Sequence, residues 1–311
     1  MTILSKKDMS EEDIKLQYIT PAILAKWDKS RITMETKITD GRICLTGNFV
    51  YRDKKSAQYA DYVLYWNSNF PIAIVEAKDN NHTVSFGLQQ AITYGTMMDV
   101  PFVYSSNGDA FYEHDMLTGK ERLIPLDEFP APDELIERYK AVANDGNGLS
   151  SEELSVIDQP YYSSQNTYEP RYYQRVAINR TVDAVAKGKN RMLLVMATGT
   201  GKTYTAFQIV YRLLKSGMKR KILYLADRNI LVDQSIQQDF SPLEKVTHKI
   251  NVSKDNRTTI TSHQVYFSLY QQLIGDDDKE HFSELFDKDF FDLIIVDECH
   301  RGSAKEDSRW H

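Results

Sequence analysis

Residues 191–203 read Arg-Met-Leu-Leu-Val-Met-Ala-Thr-Gly-Thr-Gly-Lys-Thr, an apolar run closed by a glycine-rich turn. The run from Arg191 to Met196 is expected as a buried strand, and Thr203 to Lys215 as the helix that follows the turn. Gly199 and Gly201 let backbone N–H groups on either side of Thr200 converge on one anion, and the helix N-terminus adds its positive dipole end. In such a loop Lys202 reaches the β- and γ-phosphates of a nucleotide while the Thr203 hydroxyl holds magnesium. Met196 stands where the general pattern G-x-x-x-x-G-K-[ST] has its first glycine.

Downstream, strand and helix alternate. Lys221 to Ala226 reads as a strand, Arg228 to Gln238 as a helix, and Phe291 to Val296 as a buried strand ending at Asp297. That order predicts a parallel sheet with crossover helices. Carboxylates at the C-terminal end of such a strand lie beside the phosphate loop, so in Asp297-Glu298-Cys299-His300 the first acid holds magnesium and Glu298 polarises the attacking water. ATP and Mg2+ are the implied cofactors.

Upstream the pattern differs. From Ser10 to Trp27 the apolar positions Ile14, Tyr18, Ile19, Ile23, Leu24 and Trp27 recur at helical spacing behind Ser10 as cap. Extended segments follow at Arg31 to Ile38, Tyr59 to Trp66 and Pro71 to Ala77, with Asn67-Ser68-Asn69 turning between the last two; a helix from Ser85 to Met98 and a strand from Phe102 to Ser105 complete a small α/β domain. Residues two apart on a strand share a face, so Glu76 and Lys78 project together while Ala77 turns into the core. If the flanking strands pair as a hairpin, Asp61 joins them. Two carboxylates can then bind a hard divalent metal, and the lysine can stabilise charge or orient water, which is the chemistry of phosphodiester hydrolysis. Gln90 and Tyr94 stand at i and i+4 on one face of the next helix.

Length, charge and cysteine content bound these readings. A chain of 311 residues suits two compact domains, expected at 1–150 and 168–311 around a linker at 151–167 that follows Asp145-Gly146-Asn147-Gly148. Residues 1–150 hold 16 Lys and Arg against 22 Asp and Glu, whereas the rest carries 22 of each. Any DNA face in the front half is therefore small or supplied by a partner. Cys44 and Cys299 stand too far apart for a zinc pattern, no apolar run approaches the length of a membrane helix, and the N-terminus has no signal-peptide core. A cytoplasmic protein with no membrane partner is expected.

Two resemblances follow. The segment Arg171-Tyr172-Tyr173-Gln174, the phosphate loop, Leu225-Ala226-Asp227-Arg228 and the Asp-Glu-Cys-His box resemble the motifs of a superfamily 2 helicase. The resemblance implies that the Arg171 segment, through Gln174, reads adenine and that Arg228 lies near the DNA track. Asp61, Glu76-Ala77-Lys78 and Gln90-x-x-x-Tyr94 resemble the nuclease domain of the restriction (motor) subunit of type I restriction-modification enzymes. That likeness covers nearly the whole chain, because the Ser10-Glu11 helix, Gly41-Arg42-Ile43 and the Met196-Ala197-Thr198 spelling of the phosphate loop share it.

The family resemblance implies a restriction-endonuclease-like PD-(D/E)xK domain followed by a RecA-like helicase domain. Asp61, Glu76 and Lys78 would be its cutting residues, and Gln90 and Tyr94 would support DNA handling; Glu11 or Glu12 either completes the metal site or forms a solvated helix start, the reading the residues favour. It further implies cleavage of unmethylated double-stranded DNA after ATP-driven translocation, with methylation and specificity subunits as partners. The alternative is a helicase fragment whose front domain binds DNA or partner subunits without cutting. A type III-like enzyme usually carries its nuclease after the motor, the reverse of this order. No residues remain after His311 for a second RecA-like domain, so the stretch after His300 is expected to be mobile, with low hydrogen-exchange protection. ATP turnover and translocation are likewise not expected of these 311 residues; DNA-stimulated ATPase activity is the measurement that checks it.

Overall fold

The computed structural model describes residues 5–46, 49–164, 169–226, 236–251, 254–269 and 282–299. Arg228 with most of its expected helix, and everything from His300 onward, lie outside the described residues. Two compact units emerge: residues 1–160 with 167–190, and residues 161–166 with 191–311. No helix among the described residues is long and apolar enough to cross a membrane.

The first unit begins with a helical run made of α1 (Glu11–Ile14), a π-helical stretch (Lys15–Ile19) and α2 (Thr20–Leu24). Ser10 opens it with a capping box: its hydroxyl accepts the Asp13 N–H at 3.2 Å, and its own N–H donates to the Asp13 carboxylate at 3.0 Å. A cap of this kind is worth about 1 kcal/mol. The run presents Ile14, Ile19, Ile23 and Trp27 to the core, while Leu24, expected on the same face, stays exposed.

Behind it lies a six-stranded sheet in the order β1-β4-β5-β6-β7-β8. The strands are β1 (Ile32–Thr39), β4 (Gln58–Asn67), β5 (Phe70–Ala77), β6 (Phe102–Ser106), β7 (Ala110–Asp115) and β8 (Glu121–Pro125). A separate hairpin joins β2 (Arg42–Thr46) to β3 (Phe49–Asp53). All neighbours in the main sheet are antiparallel except β5 and β6. That parallel pair needs a crossover, which α3 (Leu88–Met98) provides.

Strand alternation sorts β5 between two cores. Ala73, Val75 and Ala77 face the N-terminal helices, and Ile74 packs with Ala91 and Tyr94 of α3. Glu76 shares the parity of Ile74 and therefore faces α3. Gly95 lets α3 approach the sheet closely, since a Cβ there would lie 2.5 Å from a Val103 methyl.

The expected linker carries structure. α5 (Ser151–Asp158) starts with a second capping box, Ser150 with Glu153, buries Val156 and Ile157, and packs on α6 (Tyr172–Ala186). The compact division thus puts α6 in the first unit, where Asn179 donates to the Asn69 carbonyl at 2.8 Å and Asp183 accepts from the Tyr139 hydroxyl at 2.8 Å.

In the second unit β9 (Ile222–Ala226), β10 (Thr247–Lys249), β11 (Val265–Leu269) and β12 (Leu293–Val296) form a parallel sheet in the order β10-β11-β9-β12. Aromatic packing of Phe207, Tyr224, Phe240 and Phe267 fixes helix α7 (Lys202–Lys215) against it. One expectation fails. Residues 191–196 form no strand, and Leu193 and Val195 are 75% and 87% exposed. A strand exists through its neighbours' hydrogen bonds, and none among the described residues pairs with this segment. β12 likewise pairs on one side only, which leaves Ile294 and Val296 exposed.

The most heavily bonded charge in the first unit is Glu113 on β7, whose side chain is 2% exposed. Arg138 of α4 (Pro132–Val142) binds it through two N–H groups at 2.8 and 2.9 Å, Arg122 adds a bond at 2.7 Å, and the Tyr104 hydroxyl donates at 2.6 Å. Burial alone would raise the Glu113 pKa, but these donors outweigh it and hold it down to about 2. Glu113→Gln is therefore expected to lower stability by about 3–5 kcal/mol at pH 7 in urea unfolding, because two guanidinium groups lose their acceptor. The folded pKa lies below the ordinary value of 4.5, so the contribution is complete above pH 4.5. It disappears as the pH falls toward 2, and the gap between variant and wild type should close over that range.

Candidate active sites

The first cluster sits at the end of the β4–β5 pair. These strands run antiparallel with Tyr62 opposite Val75, which brings Asp61 and Glu76 side by side. Their carboxylates are interlocked with backbone: the Asp61 N–H donates to Glu76 Oε1 at 3.3 Å, and the Ala77 N–H donates to Asp61 Oδ2 at 2.8 Å. Both are buried, Glu76 at 1% exposure and Asp61 at 8%. Burial first, and then the Asp61 charge, push the Glu76 carboxyl up to about 8.

Lys78 follows directly. Its N–H continues the pairing to the Ser106 carbonyl at 2.9 Å, and its ammonium lies 2.7 Å from the Ala77 carbonyl and 3.8 Å from Glu11. Gly87, just before α3, is packed so tightly that an added Cβ would sit 2.9 Å from Ser105 Oγ, 3.3 Å from Glu76 Cβ and 3.5 Å from Lys78 Cε. Without a side chain there, the turn before α3 can pack directly against Ser105, Glu76 and Lys78. Gln90 donates to the Tyr94 hydroxyl at 3.1 Å, so these two residues share one face of α3. The Tyr94 hydroxyl is pushed up by burial, and the Glu76 and Asp61 charges add to the shift.

Asp61 and Glu76 are thus brought together, and the Lys78 charge lies near enough to act on Glu76. The oxygen-only donor set suits a hard divalent cation, and two buried acids that repel each other gain from one. Glu11 and Glu12 do not join as a third ligand. Glu11 lies 3.8 Å from both Lys15 and Lys78, Glu12 pairs with Lys15 at 2.9 Å, and no three His, Cys, Asp or Glu residues converge on a cation position among the described residues.

Sequence reasoning missed Lys15, whose Nζ is 2.5 Å from Asp61 Oδ1. A signal existed: a lysine three and four residues after Glu12 and Glu11, lodged between the apolar positions Ile14 and Ile19.

The second cluster lies in the other unit. Gly199 and Gly201 adopt φ of +78° and +79°, and Gly201 caps α7 without any side-chain bond to its first amides. A side chain at either position would be strained, and the Thr200 N–H donates to the Ala197 carbonyl at 3.3 Å. Thr200 closes the loop, its hydroxyl donating to the Ala197 carbonyl at 2.6 Å. Thr203, half-buried in the first turn of α7, lies two residues from Gly201.

Lys202 pairs with Glu298, so the amine expected to bind phosphate and the acid expected to polarise water neutralise each other. Asp297 follows β12; its N–H donates to the Leu225 carbonyl at 2.9 Å and its carboxylate accepts from the Tyr224 hydroxyl at 3.1 Å. This donor set fits a nucleotide phosphate with a magnesium ion. The expected adenine reader has a local task on α6: Gln174 is buried and accepts the Arg171 N–H at 2.8 Å, and Arg171 donates to the Tyr173 hydroxyl at 3.2 Å.

Comparison with known proteins divides along the same chain. Residues 9–122 match the family described as type I restriction enzyme R protein N terminus, and residues 167–311 match the type III restriction enzyme res subunit family. The type I restriction enzyme EcoAI endonuclease subunit of Escherichia coli is 44% identical across 100% of this chain and 38% of its own length. The EcoKI endonuclease subunit of E. coli K12 is 27% identical over 78% of this chain and 24% of its own. A solved fragment described as an HsdR subunit of a type I restriction enzyme from Vibrio vulnificus superposes with a TM-score of 0.76 at 37% identity, covering 94% of this chain and 52% of that one. The chain therefore spans well under half the length of the curated relatives it matches. Two buried acids on a mixed sheet, a glycine-rich loop before α7 and a likeness to the EcoAI subunit that runs through the whole of this chain agree: the chain is similar along its length to the R proteins of type I restriction enzymes.

Proposed function

We propose that this chain supplies the nuclease and the first motor domain of a type I site-specific deoxyribonuclease. The observation that carries the reading is the pair of buried carboxylates, Asp61 and Glu76, interlocked through the Asp61 and Ala77 amides, with Lys78 next along the chain. The substrate is unmethylated double-stranded DNA, and the partners are the methylation and specificity subunits of the same cytoplasmic system. On this reading the front domain spans residues 1–150 and the RecA-like domain 168–311.

Asp61 and Glu76 hold the magnesium ion of the nuclease. A magnesium ion held there would supply positive charge at the scissile phosphate and lower the pKa of a bound water. Lys78 stabilises the charge that develops on the phosphate oxygens, and Gln90 with Tyr94 positions DNA on the α3 side. In the motor, the amides of Gly199, Thr200 and Gly201 cradle phosphate, and Lys202 exchanges Glu298 for the nucleotide. Thr203 and Asp297 would hold the magnesium ion of a bound nucleotide, and Glu298, once released from Lys202, would polarise water. Gln174 and Arg171 read adenine, and Arg228 contacts DNA.

Two measurements check the assignment. In the assembled enzyme, Asp61→Ala or Lys78→Ala should reduce DNA cleavage by roughly a hundredfold or more while ATPase activity is kept. Unchanged cleavage would instead favour a front domain that only binds. In the 311-residue chain, Lys202→Ala should weaken binding of a fluorescent ATP analogue by roughly tenfold or more, since it removes a charge-assisted phosphate contact.

A further inference from the structure

Lys15 is an unusual residue to find beside a metal-binding carboxylate. Its side chain is only 4% exposed, and its three N–H donors meet three acids: Asp61 at 2.5 Å, Glu12 at 2.9 Å and Glu35 at 3.0 Å. Glu11 stands farther off at 3.8 Å, and the remaining Asp61 oxygen is taken by the Ala77 N–H. A monovalent cation therefore already sits on the outer oxygen of Asp61.

Two departures from regular backbone build this position. The first helix turns π-helical at Lys15, an arrangement often found at functional sites. In β1, Met34 pairs with Tyr62 and Thr36 with Ala60, but Glu35 between them adopts φ of +49°, a conformation that a non-glycine residue rarely takes. Both irregularities fall where Lys15 and Glu35 meet. An incidental surface ion pair would need neither.

We propose that Lys15 is a resident counter-cation of the nuclease site, whose ammonium competes with the divalent metal for Asp61 and so sets how readily the site loads. The inference rests on Asp61 being a metal ligand. Two cations on one carboxylate repel, so metal binds tightly only as Lys15 is drawn away from Asp61. Glu12 and Glu35 give the displaced ammonium alternative acceptors, which keeps it buried and bonded. Lys15 is on this view a positioning residue that tunes metal affinity, distinct from Lys78.

The test is calorimetric titration of Ca2+ into the 311-residue chain, paired with the Ca2+-induced shift in melting temperature. For Lys15→Met we expect affinity about tenfold or more above wild type and a larger thermal shift. Lys15→Gln, which keeps N–H donors for the same acids, guards against misfolding of the first variant and should also bind more tightly. Asp61→Asn should lose the site. Unchanged or weaker binding by both folded Lys15 variants, with Asp61→Asn still defective, would overturn the counter-cation role and leave the nuclease assignment standing. Wild-type affinity in Asp61→Asn would remove the metal site and both readings with it.

Discussion

Hydrogen bonding between β4 and β5 forces two acids into one buried corner, and much of the first unit can be understood as the means of tolerating that. Asp61 and Glu76 are held by each other's strand: one carboxylate takes the partner's amide, the other takes the amide of Ala77. Neither acid can swing into solvent without breaking a ladder contact. Unscreened, the pair would be costly, because burial disfavours both charges and each disfavours the other. Two lysines, one from each side, offset the cost. Lys78 comes from the same strand, and Lys15 arrives from the first helix, so a site made by two strands is balanced by a third element.

The same corner explains details that serve no purpose in a plain core. Gly87 is bare because Glu76, Lys78 and Ser105 crowd it, and Glu35 takes a left-handed conformation where its carboxylate reaches Lys15. By contrast, the Glu113 network one layer away is fully satisfied by two arginines and a tyrosine, which suits a structural role. Both clusters are buried and acidic. One carboxyl is driven up and the other down, and the difference lies in whether cations or another acid surround it.

In the second unit the governing constraint is backbone geometry. Two glycines with positive φ shape the loop that leads into α7. The salt bridge between Lys202 and Glu298 keeps the key amine and the key acid occupied. On the proposed reading a nucleotide phosphate would compete for that lysine, which would couple its binding to release of Glu298 by charge exchange.

Local chemistry by itself determined a good deal. Ser10 as a helix cap, the alternation along β4 and β5, the glycines at 199 and 201, and the i, i+4 spacing of Gln90 and Tyr94 all act over a few residues, and each took the form expected of it, while the Asp13 half of the capping box was not foreseen. The capping box at Ser150 was equally local and equally readable, although that segment had been expected as linker. Residues 191–196 show the opposite case: their apolar character suits a strand, but a strand needs a partner, and pairing is a property of the sheet. Lys15 and Glu35 also belong to the tertiary structure, because they lie 46 and 26 positions from Asp61. Spacing within an element is set by covalent geometry and can be read along the chain. Which distant charges meet depends on how the elements pack, and that was decided only when helix and sheet closed over Asp61.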